Sequence, residues 1–127
     1  MKMSKTEEFL SKEEEQEIVN AIVIAEKNTS GEIRVHIEEN STKPPGERAQ
    51  EVFHLLKMDE TELKNGVLFY ICMQSKSFAI IGDKGINDLV ESNFWNSTKD
   101  IVIEKFKEGQ YKDGLIKGIL EAGEQLK

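Results

Sequence analysis

Residues 65–86 read Asn65-Gly66, Val67-Leu68-Phe69-Tyr70-Ile71-Cys72-Met73, Gln74-Ser75-Lys76-Ser77, Phe78-Ala79-Ile80-Ile81 and Gly82-Asp83-Lys84-Gly85-Ile86. Two apolar runs joined by a short polar segment and bracketed by glycine make a β-hairpin pattern. The first run is apolar at every position, which marks a central strand covered by helices on both faces. Polar and anionic groups gather at the hairpin's open end, and that end is where the function is expected.

Upstream, Glu32-Ile33-Arg34-Val35-His36-Ile37-Glu38 alternates strictly, with Ile33, Val35 and Ile37 on one face of a half-exposed strand. Pro44-Pro45-Gly46 predicts a turn, and Ala49, Val52, Phe53 and Leu56 beyond it follow the i, i+3, i+4, i+7 spacing of an amphipathic helix. A strand, a helix and a second strand joined by a right-handed crossover run parallel, so the third strand returns antiparallel through the hairpin. The expected architecture is α/β, a three- to four-stranded mixed sheet with a βαββ core sandwiched by helices.

The flanking segments supply those helices. Ser11-Lys12-Glu13-Glu14 is an S-x-x-E capping box that opens a helix over 12–27, in which Ile18, Val19, Ile22 and Val23 recur at helical spacing. Helices are expected over 88–107, carrying Leu89, Phe94, Trp95, Ile101, Val102 and Phe106, and over 111–126, where Leu115, Ile116, Ile119 and Leu120 mark the buried face. Gly114 and Gly118 have the G-x-x-x-G spacing of membrane helix pairs. The interspersed Lys117, Glu121 and Glu124 assign them instead to close packing within the domain.

The chain has 127 residues, enough for one domain with its own core, and residues 1–9 read as a flexible N-terminal segment. The formal net charge is −7, from 24 acidic against 17 basic residues, which argues against a nucleic-acid partner and favours cations near the surface. No signal-peptide pattern opens the sequence, and no window approaches the length of apolar residues needed to span a bilayer, so a cytoplasmic protein is expected. The one cysteine, Cys72, lies within a strand pattern and is expected to be a buried, inert thiol.

Taken in order, the strand ushered in by Thr29-Ser30-Gly31-Glu32, the Glu47-Arg48-Ala49 helix, Asn65-Gly66-Val67-Leu68, Gly82-Asp83-Lys84-Gly85-Ile86 and Phe106-Lys107-Glu108-Gly109-Gln110-Tyr111 with Gly114-Leu115 resemble the TPM domain. The family takes its name from a thylakoid lumen protein, a photosystem II repair protein and a modulator of the levamisole receptor. The resemblance runs from about Leu10 to the C-terminus. It implies an α/β sandwich of Rossmann-like character, a calcium or other divalent ion held by acidic residues, acid phosphatase activity as in plant members, and accessory roles at membrane complexes in others. The sequence departs from the pattern at Lys64, where many relatives carry an acid before Asn-Gly.

The topology indicates which groups meet. The first two strands start at the sheet edge where the antiparallel third ends, so Glu32, the loop from Glu62 to Asn65, and Asp83 converge, with Asp88 nearby and Asp59 and Glu60 more loosely placed. Carboxylate, amide and backbone oxygens suit Ca²⁺, or Mg²⁺ with fewer ligands. The expected metal ligands are Glu32, Glu62, Asn65, Asp83 and Asp88. Asn65-Gly66 and Gly82-Asp83 equally suit turn and helix-capping roles. The opposite edge, beyond the carboxyl ends of the parallel strands, offers Glu38, Glu39, Asn40, Ser41 and Thr42 as a rival location, with Pro44-Pro45 read there as a flexible connection.

Catalytic signatures are scarce. The sequence has no G-x-S-x-G, H-E-x-x-H, P-loop, G-x-G-x-x-G or Cys/His zinc spacing. His36 is expected in an ion pair between Arg34 and Glu38, and His54 on a solvated helix position. Phosphoryl chemistry needs a metal-activated water or carboxylate nucleophile and basic groups for the phosphate, and Asp83 with Lys84 supplies only part of this. The expected function is that of a non-catalytic, divalent-cation-binding accessory domain, which assists a membrane or multiprotein complex. The alternative is a metal-dependent acid phosphatase acting on phosphate monoesters.

Overall fold

A computed structural model describes residues 10–27, 29, 31–60, 64–87 and 94–126. The expected segment 1–9 lies outside them. Three strands, β1 (Ile33–Glu38), β2 (Val67–Cys72) and β3 (Ser77–Gly82), form one mixed sheet in the order β1-β2-β3. β1 and β2 are parallel, with Ile33 opposite Val67, and β2 and β3 are antiparallel, with Val67 opposite Gly82.

Among the described residues are five α-helices: α1 (Lys12–Glu26), α2 (Pro45–Leu55), the single turn α3 (Lys84–Asn87), α4 (Asn96–Lys107) and α5 (Tyr111–Gln125). All six residues of β2 are buried, and their alternation divides the core. Val67, Phe69 and Ile71 join Ile18, Ala25, Val102, Phe106, Leu115 and Ile119 under α1, α4 and α5. Leu68, Tyr70 and Cys72 meet Ala49, Val52 and Phe53 of α2 on the other face. The continuous apolar run is thus a strand with two dry faces.

Local chemistry sets the helix ends. The Ser11 side chain accepts the Glu14 amide at 3.1 Å while Glu14 reaches back to the Ser11 amide at 3.0 Å, so the capping box forms reciprocally. Pro45 is the first residue of α2, where its missing N–H costs nothing. The Pro44-Pro45 pair is therefore the start of a helix and not the flexible connection the sequence suggested.

The helix expected over 88–107 also differs. Its first residues, 88–93, lie outside the described residues, Phe94 and Trp95 form a turn, and α4 begins at Asn96. Asn96, Ser97 and Thr98 explain the late start, because short polar side chains compete with helix-interior bonds and favour helix beginnings. At the other end of the chain, Gly114 and Gly118 do provide close packing. A Cβ on Gly118 would stand 2.6 Å from Val102 Cγ2, and one on Gly114 would stand 2.9 Å from Lys105 Cβ.

Candidate functional site at the open end of the hairpin

The site edge is built from backbone. The Val67 amide donates to the Glu32 carbonyl at 2.7 Å, and the Asp83 amide donates to the Gly66 carbonyl at 2.9 Å. Glu32, Gly66 and Asp83 therefore lie side by side across the sheet's end, with Asn65 one residue before Gly66. Gly31 permits this crowding, since a Cβ there would stand 3.0 Å from the Asn65 carbonyl oxygen.

Asp83 is the distinctive group at this edge. It is only 9% exposed, and its Oδ1 accepts the Lys84 amide at 2.6 Å while its carbonyl accepts the Ile86 amide at 3.0 Å. The carbonyl bond closes the first turn of α3, while the side-chain bond reaches only the adjacent amide and not the second or third helical one that a capping side chain accepts. Asp83 Oδ2 is buried and has no hydrogen-bond partner among the described residues. A buried carboxylate oxygen in that state is costly until a cation or donor reaches it.

The remaining expected ligands divide. Asn65 is half-buried on the same edge. Glu32 is also at the edge, but its carboxylate pairs with Arg34 at 2.5 Å, and Arg34 in turn reaches Glu26 at 3.3 Å. Asp59 turns towards α2, where His54 Nδ1 lies 2.7 Å from its Oδ2 and holds the carboxyl below the usual aspartate range. Glu60 is exposed. Glu62 and Asp88 lie outside the described residues, and among the described residues no three His, Cys, Asp or Glu side chains converge in a metal-binding group. Lys64 adopts the left-handed conformation at φ 52° and donates through Nζ to the Asp59 carbonyl at 2.5 Å.

The opposite edge carries a polar network of which the sequence indicated only the His36–Glu38 pair. Arg48 grips the Glu38 carboxylate through Nε at 3.0 Å and Nη2 at 3.1 Å, and it reaches Glu51 through Nη1 at 3.2 Å. Lys43 pairs with Glu51 as well, the Tyr70 hydroxyl donates to Glu38, and His36 Nε2 lies 3.4 Å from Glu38 Oε1 with its ring stacked on Tyr70. Burial works to raise the Glu38 pKa, but the Arg48 and Tyr70 hydrogen bonds, the Arg48 charge and the His36 contact outweigh it and hold the carboxyl below the ordinary range. Burial, then the bond to Glu38, pushes the Tyr70 phenol up.

Asn40, Ser41 and Thr42 line a shallow hollow beside this network. Both acids in it, Glu38 and Glu51, are neutralised by cations, so the network acts as a clamp between α2 and the sheet. Its signal in the sequence was strand parity, which puts His36, Glu38 and Tyr70 on the α2 face, together with Arg48 beside the buried Ala49.

The chain matches the family model of the TPM domain over residues 3–125. Its fold is similar to the solution structure of BA42 from the psychrophilic bacterium Bizionia argentinensis, with 56% identity, a TM-score of 0.90, and coverage of 98% of this chain and 86% of that one. The N-terminal domain of a protein from P. gingivalis has the same fold at 17% identity and a TM-score of 0.78, with 93% and 76% covered. The N-terminal domain of cg2496 from Corynebacterium glutamicum has it at 10% identity and a TM-score of 0.73, with 93% and 74% covered. A comparison with curated proteins finds no match.

Proposed function

The chain belongs to the TPM domain family, and we propose that it is a non-catalytic domain binding a divalent cation, Ca²⁺ or Mg²⁺, at the open end of its hairpin. The observation that carries this reading is Asp83, a buried carboxylate with one oxygen committed to a backbone amide and the other without a partner among the described residues. A hard cation answers that need directly, and Asn65 on the same edge offers a further oxygen. Glu62 and Asp88 are the acids to include next, as near neighbours in sequence of Asn65 and Asp83. Glu32 joins the set only by giving up Arg34. The net charge of −7 raises the cation concentration at the surface.

Phosphate-ester hydrolysis would also require basic groups aimed at the phosphate. Arg34 at this edge is engaged by Glu26 and Glu32, and Lys64 by the Asp59 carbonyl, which leaves the exposed Lys84 as a single basic group where a phosphate clamp needs more than one. A binding role therefore fits the edge better than a catalytic one.

Calorimetric titration with Ca²⁺ and Mg²⁺ tests the reading. Asp83→Asn keeps an oxygen for the Lys84 amide and removes the charge, so binding should weaken at least about tenfold, whereas Glu38→Gln should leave it unchanged. Equal affinity for wild type and Asp83→Asn would exclude Asp83 as a ligand. Chelator-sensitive hydrolysis of a phosphate monoester, lost in Asp83→Asn, would establish the phosphatase alternative.

A further inference from the structure

The outer edge of β3 has no strand beside it among the described residues. Its hydrogen-bonding phase follows from the bond between the Asp83 amide and the Gly66 carbonyl, which are directly opposed in the register. Antiparallel pairs alternate, so residues 77, 79 and 81 bond to β2, and the N–H and C=O groups of Phe78 and Ile80 face away from it. Those groups are a template for another extended chain.

A groove of about 430 Å³ lies beside the hairpin end of this edge, between Lys76 and Phe78 on one side and Ile103, Phe106 and Lys107 of α4 on the other. Its floor is apolar, with Phe78 and Phe106 edge to face at 5.8 Å between ring centroids. Its rim is basic: Lys76 and Lys107 line it and are exposed. Neither has a carboxylate within ion-pair distance among the described residues, although the chain as a whole carries −7. An uncompensated basic rim on an acidic protein selects for an acidic occupant. It also disfavours a second copy docked edge to edge, which would bring the same lysines together and add the repulsion of two anionic molecules.

We propose that this edge and groove take up an extended acidic peptide segment of a partner protein as a fourth strand. The main chain of that segment pairs with the outward groups of Phe78 and Ile80. Alternate apolar side chains enter the groove against Phe78 and Ile103, and carboxylates on the rim meet Lys76 and Lys107. The surface is at the hairpin tip, the far end of β3 from Asp83, so it stands independently of the cation site.

The test uses the full ¹⁵N-labelled chain and a capped heptapeptide alternating glutamate with valine or phenylalanine, compared with its lysine counterpart. The acidic peptide should shift the Phe78 and Ile80 amides saturably at concentrations up to about 1 mM, slow their hydrogen exchange and weaken with added salt. Lys76→Glu combined with Lys107→Glu should weaken it at least about tenfold and confer binding of the lysine peptide. Both positions are exposed, so unchanged amide signals elsewhere will report an intact fold. Ile103→Ser should weaken the acidic peptide without reversing its charge preference. No shift at Phe78 and Ile80, equal binding of the two peptides, or responses that inorganic phosphate or anionic vesicles reproduce in full would overturn the proposal.

Discussion

Asp83 and Glu38 are carboxylates at opposite ends of the same small sheet, and their surroundings differ in what each is offered. Glu38, with 16% of its side chain exposed, receives a two-nitrogen grip from Arg48, a phenol hydrogen bond from Tyr70 and a contact from His36. Hydrogen bonds to charged groups contribute about 1.5–3 kcal/mol, so Tyr70→Phe should lower stability to urea by an amount in that range. The acid response follows from the sign of the Glu38 shift. Its folded pKa lies below the unfolded value, so its contribution is complete above the unfolded pKa and is lost as pH falls through the folded one. Urea midpoints should fall below about pH 4, and the difference between wild type and Glu38→Gln, on the order of 2 kcal/mol at neutral pH, should shrink as they do. Of these partners the pattern indicated His36 alone, because Arg48 reaches Glu38 only once the crossover brings α2 over the sheet, and Tyr70 only once β2 pairs with β1. Asp83 was legible, since a turn aspartate at the end of a strand is placed by topology alone.

At the scale of elements, periodicity identified what packing later used. The doubly apolar run became the central strand, the alternating run became β1, and the G-x-x-x-G spacing became the contact of α5 with α4. The start of α4 was not legible, because apolar Phe94 and Trp95 match a helical face yet belong to a turn that buries Trp95. Glycines separate packing from propensity most cleanly. A Cβ on Gly123 of α5 would lie 2.8 Å from Ala25 Cβ and 2.9 Å from Ala25 Cα, and the α1 backbone has no side-chain freedom with which to yield. Gly123→Ala gains about 1 kcal/mol of helix propensity and incurs about 1–3 kcal/mol of overpacking, so a net loss of up to about 2 kcal/mol is expected. Gly46 in the first turn of α2 has nothing within 4 Å of such a Cβ. Gly46→Ala should therefore stabilise by about 0.5–1 kcal/mol, and denaturation curves of the two variants should shift in opposite directions.

At the scale of the molecule, the two ends of the sheet differ in how far their carboxylates are satisfied. The carboxyl end of β1 is closed by the Glu38 clamp, and no described helix is long and apolar enough to cross a membrane. The other end leaves Asp83 half satisfied in a chain of net charge −7. A cation bound only by the folded state at a hundred times its dissociation constant adds about 2.7 kcal/mol, so Ca²⁺ should raise the Tm by on the order of 10 °C in wild type and by about half of that or less in Asp83→Asn. The most direct test is an amide-resolved Ca²⁺ titration, which reports ion and edge together. Cation binding at Asp83 predicts saturable shifts centred on Asn65, Gly66, Asp83 and Lys84, with an affinity at least about tenfold lower in Asp83→Asn. Shifts centred instead on Glu38, Asn40 and Ser41, or none at all, would contradict it.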